Sequence, residues 1–154
     1  MELSQLLDLT NVIVGVDASD KDTLIHAVID LIADRDEVTD ADRMREAIIE
    51  RESTMSTGVG KGLGLPHAKT SAVNGILAAL AVTQAPVDFA SMDNEPVRIV
   101  FLLVGTQDAK SQHVRILSRI SRMMNQNDAR ERVLAAGSTE ELLDVIQDIE
   151  SQLN

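Results

Sequence analysis

The sequence predicts an α/β fold in which a single mixed β-sheet is flanked by helices on both faces. Two apolar, partly β-branched runs at residues 76–83 and 97–104 are typical of buried strands. Segments whose apolar residues recur every three or four positions, as in helices, are interleaved with such runs along the whole chain. This alternation indicates helices layered on one sheet, although it leaves the order of the strands open.

The first predicted elements are a strand and a helix. The run at Val12–Val16 is short and β-branched, which favours a strand. A turn over residues 17–20 leads into the first helix, with Ser19 or Asp20 as its N-cap. The apolar residues of this helix recur at helical spacing as far as Ile32.

A second helix and a glycine-rich stretch follow. The sequence Thr-Asp-Ala-Asp resembles a capping box and predicts a helix that begins near Thr39 and ends near Glu52. Residues 53–66 are rich in Gly, Ser and Thr, which indicates a loop or an irregular strand.

The C-terminal half predicts the two buried strands and two more helices. Pro86 and Pro96 bracket the connection between the strands. Asp108 is the expected cap of the next helix, and Ser-Thr-Glu-Glu opens a last helix over residues 138–152. The apolar stripe of the helix after Asp108 is expected to comprise Val114, Leu117, Ile120 and Met124.

The composition predicts one domain over residues 1–154 and excludes several kinds of site. The absence of Cys excludes disulfides, thiolate catalysis and Cys-ligated zinc, and only Phe89 and Phe101 are aromatic, which disfavours a base-stacking platform. The three histidines are too widely separated to indicate a metal site, and His26 is assigned no role. With no signal-peptide pattern and no apolar run of roughly 20 residues, we expect a cytoplasmic protein that is not membrane-embedded.

The charge is strongly negative but unevenly distributed. The net charge of −11 disfavours nucleic acid as a partner. Residues 1–50 hold 4 basic and 13 acidic groups, whereas residues 51–125 hold 8 basic and 5 acidic groups. This basic middle section suits a small anion such as phosphate, although the charge pattern taken alone favours ordinary surface variation.

The stretch RESTMSTGVGKGLGLPHAKT, residues 51–70, is the most informative for chemistry. Glycine occupies every second position from Gly58 to Gly64, so on a strand one face would be bare and open to close approach by another backbone or a partner. The P-loop pattern fails because Gly62 follows Lys61, and the dinucleotide fingerprint fails because its third glycine is missing.

His67 ends this stretch, and the backbone that leads to it is rigid. Pro66 fixes its own φ and favours an extended conformation of Leu65. A neutral imidazole, with an ordinary pKa of about 6.5, is a good nucleophile near pH 7 and can accept and pass on a phosphoryl group. Taken without context, a histidine is more often a structural residue that only hydrogen-bonds within the fold.

The run RESTMSTGVGKGLGLPHA resembles the active-site signature of enzyme IIA of the fructose–mannitol class, from the bacterial phosphoenolpyruvate-dependent sugar phosphotransferase system. It departs from the family pattern at Gly64, where the family usually has Ala. The segment SQHVRILSRIS at residues 111–121 resembles the later His-Leu-x-x-Leu helix of the family, and it places His113 at the second family histidine. The resemblance covers essentially the whole chain.

The resemblance implies roles for individual residues. His67 matches the histidine that the phosphocarrier protein HPr phosphorylates, on Nε2, with Nδ1 held by a backbone carbonyl. His113 matches its partner histidine, and Arg51 matches the arginine near the phosphoryl group. Arg51 and Thr57, together with backbone N–H groups, are the expected phosphate-binding groups. No cofactor is expected beyond the covalent phosphohistidine. Without the resemblance, His113 is a core histidine and Arg51 a cation at a helix end.

Three hypotheses about function follow. The first is a phosphotransferase in which His67 accepts a phosphoryl group from phospho-HPr and donates it to a cysteine of a IIB partner. The second is a nitrogen-regulatory IIA-type protein, in which the phosphorylation state of His67 controls binding to a target protein. The third is an interaction domain without chemistry, which the presence of Arg51, His67 and His113 together disfavours.

Overall fold

A computed structural model describes residues 2–153, which form one mixed β-sheet with helices on both faces. The strands within this range are β1 (Val12–Val16), β2 (Gly58–Gly60), β3 (Leu63–Gly64), β4 (His67–Lys69), β5 (Ile76–Val87) and β6 (Val97–Gly105). The α-helices are α1 (Lys21–Asp30), α2 (Ala41–Thr54), α3 (Lys110–Met124), α4 (Asn127–Ala135) and α5 (Thr139–Ser151). Short 3₁₀ turns cover Leu3–Gln5 and Gln107–Ala109.

The sheet is built around β6. Its strands run in the order β1-β5-β6-β3-β2, and β4 also pairs with β6. The β5–β6 and β2–β3 pairs are antiparallel, whereas β1–β5, β3–β6 and β4–β6 are parallel. Since β5 occupies one edge of β6, the short strands β3 and β4 follow one another along the other edge. This arrangement places His67, the first residue of β4, opposite Leu103.

The predicted layers are confirmed, because each face of the sheet has its own core. On one face, Leu103 packs with Ile116 and Ile120 of α3, and residues of α4 and α5 extend the same core. On the other face, Ala68 packs with Ile48 of α2 and with apolar residues of α1. Consecutive residues of β4 therefore face different helical layers.

Three of the five α-helices begin at a side-chain cap, whereas α3 and α4 do not. The side chains of Asp20, Asp40 and Ser138 accept the capping hydrogen bonds of α1, α2 and α5. The prediction of Asp108 as a cap is wrong, because Asp108 lies inside the 3₁₀ turn and the N-cap position of α3 is Ala109, which makes no side-chain bond.

Three further differences from the predicted elements have clear physical causes. Strand β5 continues through Pro86 because its register against β6 is interrupted between Val82 and Val87, so the missing N–H of the proline breaks no regular ladder. Val114 is 56% exposed, since it is one residue, or about 100°, from the buried row that contains His113. Helix α4 was not predicted because it is short and buries only two apolar residues, Ala129 and Val133.

A buried carboxylate ties the two ends of the chain together. Glu150 of α5 is almost fully buried and accepts hydrogen bonds from the N–H of Leu3 at 2.7 Å, the N–H of Ser4 at 2.8 Å and Nε of Arg119 at 2.6 Å. Burial alone raises the pKa of Glu150, but the bonds from Ser4, Arg119 and Leu3 outweigh it and hold the pKa below its ordinary value.

Among the described residues, no helix is both long and apolar enough to cross a membrane.

We expect Glu150→Gln to lower the free energy of unfolding by about 3 kcal/mol, because it removes one partner of a buried ion pair and replaces an acceptor with a donor. The measurement is urea unfolding at pH 7. The control is Asp148→Asn in the same helix, where the pair with Arg132 (2.8 Å) is exposed, and its loss is expected to cost less than about 1 kcal/mol. Equal losses in the two variants would contradict the role given to Glu150.

Candidate functional site

The site is built around His67, whose ring is held by the backbone of its own segment. Nδ1 lies 2.6 Å from the carbonyl oxygen of Leu65, and the residue is half-buried at the start of β4. A carbonyl oxygen only accepts, so Nδ1 carries the hydrogen and donates it. In the neutral ring, Nε2 therefore keeps its lone pair, which makes it the nucleophilic nitrogen.

His113 lies beside His67, the arrangement that the family resemblance implies. The ring centroids are 5.9 Å apart and the planes are inclined by 54°. His113 is 1% exposed, and neither of its ring nitrogens has a hydrogen-bond partner among residues 2–153. The ring packs on Gly105 of β6, where a Cβ atom would lie 3.4 Å from its Nδ1. The two histidines thus meet between β4, β6 and α3.

The protonation state of His113 follows from its surroundings. Burial is the largest cause, and together with the electrostatic effects of His67 and Lys69 it lowers the pKa of His113 to about 4. His113 is therefore neutral at pH 7 and offers one N–H donor and one acceptor nitrogen. A neutral donor with no protein partner is suited to binding an oxyanion beside His67.

Arg51 lies in the last turn of α2, the helix that packs against β4 from the other face of the sheet. Its guanidinium donates to the carbonyl of Met55 at 3.1 Å, and among the described residues it makes no ion pair and no hydrogen bond to His67. The guanidinium of Arg51 is therefore engaged at the end of its own helix, and this helix packs against the strand that carries His67.

Thr57 is buried and is bound to a residue that the sequence analysis did not single out. Its hydroxyl donates to Oε2 of Glu52 at 2.7 Å, and its N–H donates to Oε1 at 3.0 Å. The Nζ of Lys21 lies 3.0 Å from the same carboxylate and 4.8 Å from the centroid of the Phe89 ring. One feature of the sequence could have singled out Glu52. It is an acidic residue in the last turn of a helix, a position that the helix dipole disfavours unless the acid has a partner.

The alternating glycines serve packing within the chain. A Cβ on Gly58 would lie 2.3 Å from Oγ of Ser91, and a Cβ on Gly64 would lie 3.1 Å from the ring of Phe89. The bare face predicted from the sequence is therefore covered by the β5–β6 connection and is not open to a partner. The ring of Phe89 also accounts for glycine at position 64, where the fructose–mannitol pattern usually has alanine.

The fold defines the protein as a member of the IIA class. It matches the crystal structure of nitrogen regulatory protein IIA-Ntr from Neisseria meningitidis with a TM-score of 0.87 and 26% identity, covering 94% of this chain and 98% of that chain. The family model for the phosphoenolpyruvate-dependent sugar phosphotransferase system, EIIA 2, matches residues 5–149. The chain belongs to this family, as its resemblance predicts.

The chain is similar in sequence to two kinds of protein, fructose-specific EIIA components and nitrogen regulatory proteins. The fructose-specific EIIA component of Haloferax volcanii is 36% identical over 129 residues, 84% of each chain. The nitrogen regulatory protein of Pseudomonas aeruginosa is 29% identical over 151 residues, 98% of each chain. The fructose-specific EIIABC component of Bacillus subtilis is 30% identical over 146 residues; the match covers 95% of this chain but only 23% of that longer protein. Membership of the family supports a phosphoryl-carrier role in general.

We expect Gly58→Ala to destabilise the protein by about 1–3 kcal/mol, because the new methyl group would collide with both the side chain and the backbone of Ser91. Chemical denaturation at pH 7 measures this loss. Gly137→Ala is the matched control, since the nearest atom to its new Cβ is 3.8 Å away, and a change within about 0.5 kcal/mol is expected. A neutral Gly58→Ala would show that the glycine face is not closed by Ser91.

The lowered pKa of His113 also predicts how stability depends on pH. Between the ordinary pKa of 6.5 and the folded value of about 4, the unfolded chain binds a proton that the folded chain does not. This contribution to stability is complete above pH 6.5 and is lost as the pH falls. From pH 7.5 to pH 5 it amounts to about 2 kcal/mol.

The measurement compares the wild type with His113→Leu in urea unfolding at both pH values. The variant keeps an apolar side chain at the site and is expected to lose about 2 kcal/mol less than the wild type over this range. His26→Gln, which changes a histidine on the surface of α1, is expected to behave as the wild type does. An unchanged slope in His113→Leu would contradict burial of a neutral His113.

Proposed function

We propose that the protein is a phosphotransferase that carries a phosphoryl group on Nε2 of His67, accepting it from a phospho-HPr-type donor and passing it to a cysteine of a IIB partner. The observation that supports this most directly is the 2.6 Å hydrogen bond from Nδ1 of His67 to the carbonyl of Leu65. This bond selects the tautomer with a free lone pair on Nε2 and holds the ring in one orientation. The proposed carrier works in the cytoplasm, without a cofactor and without nucleic acid.

The two transfers are direct displacements at phosphorus. In the first, the Nε2 lone pair forms the new N–P bond while the N–P bond to the donor histidine breaks and returns its electron pair to the donor ring. In the second, the thiolate of the IIB cysteine forms an S–P bond and Nε2 recovers its lone pair. Such transfer depends on positioning and on stabilisation of the negative charge on the three phosphoryl oxygens.

The surrounding residues supply that stabilisation in different ways. His113 donates its N–H to a phosphoryl oxygen from a ring 5.9 Å away, and the added charge of about −1.5 to −2 favours protonation of this ring. Arg51 forms a charge-assisted contact once its guanidinium leaves the carbonyl of Met55. Thr57 acts indirectly, because both its hydroxyl and its N–H are already donated to Glu52, and it holds the signature loop through these bonds.

A regulatory function is the second candidate, and the similarity to a nitrogen regulatory protein supports it. The match to that protein of Pseudomonas aeruginosa spans 98% of both chains, beside the match to the fructose-specific EIIA component of Haloferax volcanii over 84% of both. In this alternative the same phosphohistidine changes the charge of the surface that a target protein contacts.

We expect the wild type to take up label from phosphoenolpyruvate in the presence of enzyme I and HPr, in an acid-labile and base-stable bond. His67→Ala is expected to remove this label completely, because it deletes the acceptor nitrogen. The control His26→Ala removes a histidine from α1 and is expected to label as the wild type does. A wild type that takes no label would contradict both candidates and leave the interaction domain without chemistry.

A second stage of the experiment separates the two candidates. The labelled protein is mixed with a purified IIB domain and with the same domain after Cys→Ser substitution. Transfer to the cysteine form alone supports a transport relay. Retention of the label on His67, together with target binding that differs between the two phosphorylation states, supports regulation.

A further inference from the structure

Lys69 lies on the same strand as His67, two residues further along β4. In β4 the side chain of Ala68 packs into the core formed with α1 and α2. Because side chains alternate along a strand, those of His67 and Lys69 leave β4 toward the opposite face, where α3 carries His113. The backbone thus presents a phosphorylatable histidine and a lysine side by side.

The register of β4 against β6 brings this lysine close to His113. Lys69 pairs with Gly105, and a Cβ on Gly105 would lie 3.4 Å from Nδ1 of His113. Directly paired residues of neighbouring strands point to the same face of a sheet, so the stem of Lys69 starts on the side of His113. In agreement, the positive charge of Lys69 acts on His113 and contributes to its lowered pKa, after burial and the charge of His67.

The ammonium group of Lys69 is available to an incoming anion. The residue is exposed, and within residues 2–153 no carboxylate oxygen lies within 4.0 Å of its Nζ. Lys21, in contrast, is 3.0 Å from the carboxylate of Glu52. Lys69 also borders a cleft against α2, which is lined by Glu46 and Glu50 and by the cation Arg43, and it forms no ion pair with either glutamate.

In the observed arrangement, Arg51 does not present its positive charge to an anion on His67. Its helix packs on the other face of the sheet, and its guanidinium is bonded to the carbonyl of Met55. His113 is neutral and offers a hydrogen bond but no positive charge. Of the cationic side chains considered for the site, Lys69 is the one that leaves the sheet on the face shared by His67 and His113.

We propose that Lys69 binds the phosphoryl oxygens on His67 and supplies, in addition to Arg51, a positive charge that stabilises them during transfer. This inference rests on the proposed function and adds a phosphoryl-binding residue to it. A lysine acts here as a compact, mobile point charge whose four-carbon stem follows the group as it arrives and leaves. It offsets much of the charge of about −1.5 to −2 that phosphorylation brings to the site.

The test compares Lys69→Gln, Lys69→Arg and the matched control Lys61→Gln. Lys61 lies in the β2–β3 turn, where its Nζ contacts Asn125, so its substitution removes the same charge away from β4. The rate of phosphoryl uptake from phospho-HPr is expected to fall about 10-fold or more in Lys69→Gln. Lys69→Arg is expected to retain most of the rate, and Lys61→Gln is expected to match the wild type.

A second readout separates contact with the phosphoryl group from a structural effect. In the phosphorylated proteins, ³¹P NMR titration is expected to show a higher phosphoryl pKa in Lys69→Gln than in the wild type, because a nearby positive charge that favours the dianion has been lost. Lys61→Gln is expected to leave this pKa unchanged. Circular dichroism of each variant verifies that the substitution of an exposed side chain leaves the fold intact.

The outcomes distinguish this inference from the function on which it rests. If the wild type is labelled on His67 but Lys69→Gln equals Lys61→Gln in both rate and phosphoryl pKa, the inference is wrong and the carrier function stands. Lys69 then only balances the charges of Glu46 and Glu50. If the wild type accepts no phosphoryl group, the proposed function itself is overturned and Lys69 has no group to bind.

Discussion

The hydrogen bond between Nδ1 of His67 and the carbonyl of Leu65 is the interaction on which the proposed chemistry depends. It decides which ring nitrogen is nucleophilic and where that nitrogen points. The bond is itself fixed from both sides, because the N–H of Leu65 donates to Thr57 at 3.0 Å and the carbonyl of Pro66 accepts from Leu103 at 3.1 Å. The imidazole is therefore oriented before any donor arrives, and no reorganisation is needed at the moment of transfer.

This constraint extends into the helical layer through a series of polar contacts. Lys21 of α1 contacts Glu52 of α2, Glu52 accepts two hydrogen bonds from Thr57, and Thr57 accepts the bond from Leu65. The chain of contacts ends at His67. Glu52 is buried, so loss of its charge or of its partners would leave unsatisfied groups beneath the signature loop. The residues that position the nucleophile thus come from two helices and a loop, although only the loop carries the recognisable motif.

The sequence predicts most of this architecture wherever a local pattern carries the signal. The central strands and the capped helices follow from apolar, β-branched runs, capping residues and helical spacing. The pairing of His67 with His113 follows only from the resemblance, since the two residues are far apart in sequence. Neither the local sequence patterns nor the family resemblance predicts contacts that depend on tertiary packing. The course of β5 past Pro86 and the link from Glu52 to Thr57 depend on neighbours that no local pattern names.

The cost of burying His113 is itself an argument about function. A buried polar group without a protein partner costs on the order of 1–3 kcal/mol, and an apolar side chain in the same row would avoid this cost. Within residues 2–153, His113 of α3 therefore presents a donor without a protein acceptor, and Lys69 of β4 presents an ammonium group without a carboxylate partner, on one face of the sheet. In the proposed function, a phosphoryl group on His67 provides oxygens for both. The resting site is best understood as complementary to the phosphorylated state, so that stability given up in the free protein is recovered when the phosphoryl group is bound.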